Sequence, residues 1–397
     1  MKKILLVAAL FFVTAVNSQT IPRTTPAKAG MDANHLVLAD GIINESIKDG
    51  TIPGAVLAVV RDGKMVYLKA YGNKAVYPAV EKMDVNTVFD MASVSKCVGT
   101  TMSFIQLVEQ GKVRLYDNVA MYIPGFKGWV DTLTGKKTEI RIIDLLTHSS
   151  GLPPYAPADE LVKKYGSPNP KALIEYIATC KRDFPPTTKF QYSCLNFITL
   201  QNVLQNITGV TLAEYAQTNV FDVVGMKHTT YNPTGEILAL CAPTEKQKDG
   251  SVFKGVVHDP LARLLNGGNS GNAGVFSNAE DLAILASALM NGGAYNKKRV
   301  LGELTVKMMT TVPKGFEHLG RSLGWDNYSS YASNNGNIFP EGTTYGHTGY
   351  TGTSIVIDPI SKVAVILLTN RVHPEDKGSV VRLRATVANV VAGSVVK

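Results

Sequence analysis

A serine and a lysine three residues apart, Ser93 and Lys96, form an S-x-x-K pattern in this 397-residue chain. Residues i and i+3 of a helix share a face, so the hydroxyl and the amine can meet there. A serine hydroxyl is a poor nucleophile until a neighbouring base takes its proton. A lysine buried away from water has a lowered pKa and can be that base. The pattern therefore predicts nucleophilic catalysis by Ser93, with Lys96 as its proton-transfer partner.

The segment that follows Ser93 is predicted to be a helix. Apolar residues recur there at steps of three or four, namely Val94, Val98, Met102, Ile105 and Val108. Gly111 can terminate the helix, and Ser93 would lie in its first turn, where free amides favour negative charge. The pattern also occurs at 251–254, after a turn signal, and at 394–397, at the chain end. Of the matches, Ser93 alone opens an amphipathic helix.

Two further motifs give the chain a family resemblance. The segment Gln191-Tyr192-Ser193-Cys194 resembles the Tyr-x-Asn element of class C β-lactamases and related penicillin-binding proteins, and residues 345–352 resemble their Lys-Thr-Gly or His-Thr-Gly strand edge. Similar stretches occur at 145–152, 272–277 and 368–374, the last resembling penicillin-binding protein 4B and esterase-like members. The resemblance covers about residues 33 to 393.

This resemblance implies roles for individual residues. Ser93 would attack a carbonyl and form an acyl-enzyme, while Lys96 shares its proton. Tyr192 would act with Lys96 as general base and then return the proton to the leaving group. The backbone amides of Ser93 and Tyr350 resemble the family's oxyanion hole, which stabilises charge developing on the carbonyl oxygen.

The resemblance also assigns the strand edge. Thr348 and Gly349 would line the edge against which substrate lies. His347 stands where many relatives have lysine, and it could hydrogen-bond the tyrosine or, when protonated, meet a substrate carboxylate. His148 belongs to a family-like stretch, and a structural role at a junction between helix and loop is favoured for it.

Cys194 departs from the family pattern because it stands at the position of the asparagine. A thiol donates and accepts hydrogen bonds only weakly, so binding of a β-lactam side-chain amide is expected to be poor. Another group, such as water or a backbone group, must complete the environment of the lysine. A Cys180–Cys194 bridge fits the sequence separation, but a position in the cleft predicts that Cys194 is a free thiol. Asn272 stands where many esterase-like relatives have histidine, and no role follows from that.

The elements around these residues predict one α/β (α+β) domain over 19–397, and the family resemblance implies that its fold is β-lactamase/transpeptidase-like. Two β-hairpins, at 55–70 and 353–369, lie near opposite ends of the chain, each with a turn signal between its strands. Helices are expected at 33–48 and 382–391. An antiparallel sheet built from both ends (about 33–92 and 300–397) would carry an inserted, mostly helical region at about 93–299.

The N-terminus has the layout of a cleaved secretory signal. Lys2 and Lys3 precede an apolar run from Ile4 to Val16, and the small Ser18 follows. The run is shorter than the roughly 20 residues that span a bilayer. The sequence thus predicts a signal peptide at 1–18, an exported protein that is periplasmic or secreted, and no integral membrane segment in the mature chain.

Composition narrows the function classes. Hydrophobic residues make up 45% and charged residues 18%, as in a well-buried globular protein. The net charge of +8 is modest and spread out, so nucleic-acid binding is not expected. The four cysteines lack CxxC spacing and no H-E-x-x-H occurs, so no metal or other cofactor is predicted. No G-x-S-x-G elbow is present, which argues against an α/β-hydrolase triad.

The favoured function is a hydrolase for an ester or a D-amino-acid amide, such as a cell-wall peptide, of the DD-carboxypeptidase or esterase type. The alternative is a class C-like β-lactamase. A third possibility is a covalent β-lactam sensor that acylates without turnover, and a fourth is an inactive scaffold. The expected partner is a small-molecule or peptidoglycan-like substrate.

Overall fold

The computed structural model describes residues 20–396, so the predicted signal peptide at 1–18 lies outside the described residues. The strands are β1 Gly54–Arg61, β2 Lys64–Ala75, β3 Glu81–Lys82, β4 Phe89–Asp90, β5 Trp129–Val130, β6 Lys137–Thr138, β7 Thr230–Tyr231, β8 Pro243–Lys246, β9 Val252–Lys254, β10 Val275–Ser277, β11 Ala294–Tyr295, β12 Lys298–Arg299, β13 Tyr345–Thr348, β14 Ser354–Asp358 and β15 Val363–Thr369.

Helices occupy most of the middle of the chain. They are α1 Ala33–Leu36, α2 Leu38–Lys48, α3 Met102–Glu109, α4 Ile142–Leu146, α5 Ala158–Tyr165, α6 Pro170–Thr179, α7 Cys194–Thr208, α8 Leu212–Ala216, α9 Asp222–Val224, α10 Gly235–Leu240, α11 Ala279–Met290, α12 Glu303–Thr310 and α13 Val381–Gly393. In the described part of the chain, no helix is both long and apolar enough to cross a bilayer.

A six-stranded antiparallel sheet joins the two ends of the chain, in the order β13-β14-β15-β1-β2-β3. Both predicted hairpins are confirmed, and β15 pairs with β1 from Ala55 opposite Thr369 to Arg61 opposite Val363. The first hairpin turns at Asp62-Gly63, where both residues have positive φ, as the tight hairpin turn requires. The C-terminal part of the chain contributes its first strand to this sheet at Tyr345, after α12 and two short 3₁₀ turns.

Strand β1 is buried on both faces, and its alternation divides the core. Leu57 and Val59 belong to a cluster that includes Ile43 of α2 and Val387 of α13. Val56, Ala58 and Val60 belong to the larger cluster, which includes Leu282 of α11 and much of the helical region. Successive side chains of a strand point to opposite faces, so helices cover both sides of the central strands. In the strand order β13 is the outermost strand, so it forms the edge of the sheet beside the helical region.

The segment around Ser93 differs from the regular helix that its apolar spacing suggests. Residues Ala92–Val94 form a 3₁₀ turn and Lys96–Thr101 form a π-helical turn, so α-helix begins only at Met102. Ala92 has a φ of 45°, an uncommon conformation for a residue with a side chain. The prediction of a helix there is correct for α3 but wrong for the geometry of its first turns. π-turns inside helices are frequent at functional sites.

Candidate active site

The loop that carries Ser93 is tied to the end of the edge strand. Thr353 donates its hydroxyl to the carbonyl of Met91 (3.0 Å), and Thr351 donates to the carbonyl of Asp90 (2.8 Å). The buried Asp90 carboxylate in turn accepts the amide N–H of Ala92 (2.8 Å). These bonds hold the residues before Ser93 against the turn that follows β13. Two distant parts of the sequence therefore meet at the predicted nucleophile.

Lys96 is completely buried, and its amine donates to three acceptors. Its Nζ lies 2.9 Å from Ser93 Oγ, 2.9 Å from the carbonyl oxygen of Asn272, and 3.6 Å from Cys194 Sγ. An ammonium has three N–H donors, so these contacts use them all. The expectation that another group completes the lysine's environment is met by the Asn272 carbonyl. The thiol at position 194 is the weak third acceptor.

Tyr192 faces Lys96 across the site. Its ring centroid lies 4.9 Å from Lys96 Nζ, and its buried hydroxyl lies near enough to Lys96 and Ser93 for both to lower its pKa, an effect that burial outweighs. The ring stacks on His148 at 4.4 Å and on Tyr331 at 5.6 Å. His148 also accepts the amide N–H of Ser193 through Nδ1 (3.1 Å). The structural role expected for His148 is therefore to hold the segment that carries Tyr192.

His347 lies on β13 with its ring 6.0 Å from that of Tyr192. Its Nδ1 is 2.9 Å from the Thr348 carbonyl, and because a carbonyl only accepts, Nδ1 carries the proton. Its Nε2 is buried and unpartnered in the described residues, so no direct bond joins it to Tyr192. With the proton on Nδ1, this nitrogen of the neutral ring is left as an acceptor.

The electrostatics correct the expected lowering of the lysine pKa and bear on the protonation of His347. Burial disfavours the Lys96 ammonium, but charge on Cys194 and Tyr192 favours it, and the pKa of Lys96 lies above its ordinary value rather than below. Burial, with Arg321 and Lys96 nearby, holds the pKa of His347 well below its usual range. This low pKa favours the neutral imidazole over the protonated form that would meet a substrate carboxylate. Burial raises the pKa of Tyr192 and of Cys194.

Two cavities meet at Ser93, and Tyr192 and Tyr350 also line both. The first, of about 410 Å³, contains the predicted strand-edge residues 347–349 and the guanidinium groups of Arg321, Arg371 and Arg384; we call it the basic cavity. The second, of about 450 Å³, contains Tyr155, Cys194, Asp259 and Asp376; we call it the acidic cavity. The site can therefore place a carbonyl at Ser93 with a different substrate part on each side.

Two arginines of the basic cavity have unused N–H groups. Arg321 is 1% exposed and pairs with Asp326 through Nη1 (2.9 Å), while its Nε and Nη2 have no partner among the described residues. Arg384 donates through Nη2 to the carbonyls of Gly349 (2.7 Å) and Thr353 (2.9 Å), and its Nε is unpartnered there. Burial and Arg371 lower the pKa of Arg384 to about 9, so it is still charged at neutral pH.

The remaining predicted residues lie at the same edge. Gly349 admits no side chain, since a Cβ there would lie 2.2 Å from Thr353 Oγ1 and 2.4 Å from the Met91 carbonyl. Thr348 lines the basic cavity. The Tyr350 carbonyl accepts from Arg371 (2.8 Å), and its hydroxyl donates to Asp376 (2.6 Å). The oxyanion role of the Ser93 and Tyr350 amides stays a prediction.

The cysteines are free thiols, which excludes a Cys180–Cys194 bridge and agrees with the expectation for Cys194. In residues 20–396, no group of His, Cys, Asp or Glu side chains is arranged to hold a metal. Sequence motifs missed the Asn272 carbonyl, Arg321, Arg384 and Asp259. A buried arginine or a backbone carbonyl far along the chain has no local spacing signal, so none of the four could be assigned from the sequence.

The lowered pKa of His347 predicts that its imidazole stays neutral at pH values where an ordinary histidine is charged. Neutral imidazole is the form above the pKa, so no protonation should occur as the pH falls from 8 through about 6.5. Nitrogen-detected NMR of the histidine side chains tests this, with His347→Gln to assign the signal and free imidazole as reference. A His347 titration centred near 6.5 would contradict the described burial and charge environment.

Comparison with known proteins places this geometry in a family. Residues 39–389 match the family model described as Beta-lactamase. An N-acetylmuramyl-L-alanine amidase of Bacillus subtilis (strain 168) is 35% identical over 84% of this chain and 80% of its own length. A protein of Escherichia coli (strain K12), provisionally named D-alanyl-D-alanine carboxypeptidase, is 32% identical over 93% of this chain and 89% of its own.

The fold agrees with that of solved structures. EstCE1, a hydrolase with promiscuous acyltransferase activity, superimposes with a TM-score of 0.72 at 23% identity, covering 91% of this chain and 99% of its own. A class C beta lactamase gives a TM-score of 0.69 at 21% identity, with 91% and 98% covered. From the family match, the full-length relatives and the shared fold, the chain belongs to the β-lactamase family and is a serine hydrolase of that family.

Proposed function

We propose that this enzyme hydrolyses acyl substrates through an acyl-enzyme on Ser93, and that its substrate is a D-amino-acid amide with a free carboxylate, as in a cell-wall peptide. The observation that carries the proposal is the 2.9 Å contact of Ser93 Oγ with Lys96 Nζ at the junction of two cavities. The names of the amidase and carboxypeptidase relatives support the substrate class. Esters remain within the same chemistry.

In the acylation step, Ser93 Oγ forms a bond to the substrate carbonyl carbon and gives its proton to the pair formed by Lys96 and Tyr192. The pair can accept that proton only after losing one, because the resting lysine is an ammonium. The amides of Ser93 and Tyr350 would stabilise the negative carbonyl oxygen. When the carbon–nitrogen bond breaks, the Tyr192 hydroxyl donates a proton to the departing amine.

Deacylation reverses these roles with water. A water molecule attacks the ester carbon and loses a proton to Tyr192, and Ser93 Oγ leaves and regains its own proton from the pair. The unpartnered Nε2 of neutral His347 is a hydrogen-bond acceptor in the basic cavity, suited to holding either the tyrosine hydroxyl or the water. Thr348 and Gly349 would hold the substrate along the strand edge.

We expect a fluorophosphonate probe to label Ser93, with loss of fluoride, because an activated serine oxygen attacks phosphorus as it attacks a carbonyl. Ser93→Ala should abolish labelling, and Lys96→Met and Tyr192→Phe should slow it by about 10²- to 10⁴-fold, the range for loss of proton transfer. Peptide mass spectrometry locates the adduct. The serine of the second S-x-x-K pattern, Ser251, serves as control through Ser251→Ala, which should label normally. Folded wild-type protein that stays unlabelled would refute the nucleophile.

The substrate class is tested through Arg321, whose free N–H groups would bind the substrate carboxylate. Arg321→Met should raise KM for a peptide ending in D-Ala-D-Ala by roughly 10- to 100-fold, as expected for losing a charge-assisted hydrogen bond. A short neutral ester has no carboxylate, and its KM should change little. Arg321→Lys keeps a positive charge beside Asp326, so it serves as a second variant if Arg321→Met does not fold. An equal change in KM for both substrates would show that Arg321 does not bind the carboxylate.

A class C-like β-lactamase is the lower-ranked alternative, because the Cys194 thiol accepts from Lys96 and is a weak donor to a β-lactam side-chain amide. If the enzyme turns over nitrocefin faster than the peptide and the ester, the β-lactamase function would rank above the proposed one. A stable Ser93 adduct without turnover would instead indicate a covalent sensor.

Export is part of the proposal, since a cell-wall substrate lies outside the cytoplasm. The motif at 1–18 predicts cleavage before Gln19. N-terminal sequencing of protein recovered from the cell exterior or periplasm should begin at Gln19, whereas an intact Met1 in the cytoplasmic fraction would contradict export.

A further inference from the structure

The carbonyl that holds Lys96 belongs to a residue whose side chain is fixed at both ends. Asn272 is fully buried, and its Nδ2 donates to Asp259 Oδ1 (3.0 Å) while its Oδ1 accepts from Ser270 Oγ (2.7 Å). Since side chain and carbonyl share one backbone unit, locking the amide also sets the direction of the carbonyl. The acceptor for Lys96 is therefore preorganised by Asp259.

Asp259 brings a negative charge that is not used in an ion pair within the described residues. Its hydrogen-bond donors are all neutral: the Asn272 amide, the Ala262 N–H (2.9 Å) and the Tyr155 hydroxyl (3.0 Å). Burial acts against the Lys96 ammonium, whereas Cys194, Tyr192 and, more weakly, Asp259 favour it. Asp259 is the carboxyl group among these three, and it is linked to Lys96 through Asn272.

We propose that Asp259 is a positioning residue for the hydrolytic reaction: through Asn272 it fixes the carbonyl that orients Lys96, and its charge balances the buried ammonium. The inference rests on the proposed function of Ser93 and Lys96. Asp259 lines the acidic cavity beside Ser93, so it is close to the reacting atoms while acting through another residue.

The substitution at position 194 gives this arrangement its importance. A thiol at 3.6 Å holds an ammonium weakly, and Ser93 must be released from Lys96 to attack. During that step the Asn272 carbonyl is the one strong acceptor among the three that contact Lys96. A carbonyl that could rotate away would let the lysine drift from the serine, and a displacement of about 1 Å can cost roughly 100-fold in rate.

Other charged and titratable groups around this network must be held constant in a test. Lys96 is faced by Tyr192, Cys194 and Ser93, with His347, His148 and Arg321 beyond them. Asp259 is faced by Tyr155, Asp90, Arg263 and Cys194. Variants should therefore change Asp259 or Asn272 alone and leave these groups in place.

The test is the rate of fluorophosphonate labelling of Ser93 as a function of pH, in wild type and Asp259→Ala, which removes both the negative charge and the acceptor for Asn272. Labelling requires the Lys96–Tyr192 pair to lose a proton, so the rate rises with pH. Removing a nearby negative charge makes that proton easier to lose, so the rise should move to lower pH by roughly one unit. The plateau rate should fall about 10- to 100-fold, because Asn272 is no longer held.

Matched variants separate charge from position. Asp259→Glu keeps the charge, so its pH profile should return toward wild type while its plateau stays low. Asn272→Ala breaks the link and keeps the carboxylate, so the plateau should fall without the pH shift. Asp183→Asn is the control, because Asp183 also accepts from a side-chain amide, that of Gln191 (2.6 Å), but does not contact the Lys96 network; its profile should match wild type.

The outcomes distinguish this inference from the proposed function. Wild-type protein that does not label overturns the proposed function. Wild type that labels, with Asp259→Ala unchanged in both plateau and pH profile, overturns the role of Asp259 and leaves the function standing. A lowered plateau with no pH shift in Asp259→Ala would mean that its charge plays no part. If Asp259→Ala does not fold, wild-type rates in both Asp259→Glu and Asn272→Ala would overturn the proposal.

Discussion

The structure depends on how the ammonium group of Lys96 is buried. Burying a charge is costly unless it is hydrogen-bonded and balanced. This chain meets that requirement with Ser93 on the adjoining turn and with acceptors from two distant segments, Cys194 at the start of α7 and the Asn272 carbonyl before β10. Each segment must be held in place for the lysine to be tolerated. The same contacts that make its burial possible place the amine beside the serine oxygen.

The sheet provides the frame for that arrangement. The three C-terminal strands meet the N-terminal strands where β15 pairs with β1, and β13 is the outermost of them. The turn after β13 lies beside the loop that follows β4. Thr351 and Thr353 hold that loop through its carbonyls, and the absence of a side chain at Gly349 allows the two backbones to approach. The irregular 3₁₀ and π turns around Ser93 and Lys96 are the local consequence of satisfying these contacts together.

Charge is distributed unevenly along the cleft. The basic cavity holds buried guanidinium groups with unused N–H donors, whereas the acidic cavity holds the carboxylates of Asp259 and Asp376. Arg371 and Asp376 form an ion pair (2.9 Å) near the boundary, so their charges largely cancel. This polarity fits the proposed substrate, which carries a carboxylate on one side of its scissile bond.

The sequence by itself determined what depends on local spacing. Alternating apolar residues around Asp62-Gly63 and Asp358-Pro359 predicted both hairpins, and the ordered motifs at Ser93, Tyr192 and His347 predicted the family and the residues of the candidate site. Tertiary structure decided what depends on distant groups: the π turn at Lys96, the raised lysine pKa, the neutral His347, and the parts contributed by Asn272, Asp259, Arg321 and Arg384. The reason is physical, since burial and the field of neighbouring charges are set by residues far apart in the chain, and no pattern within one segment contains them.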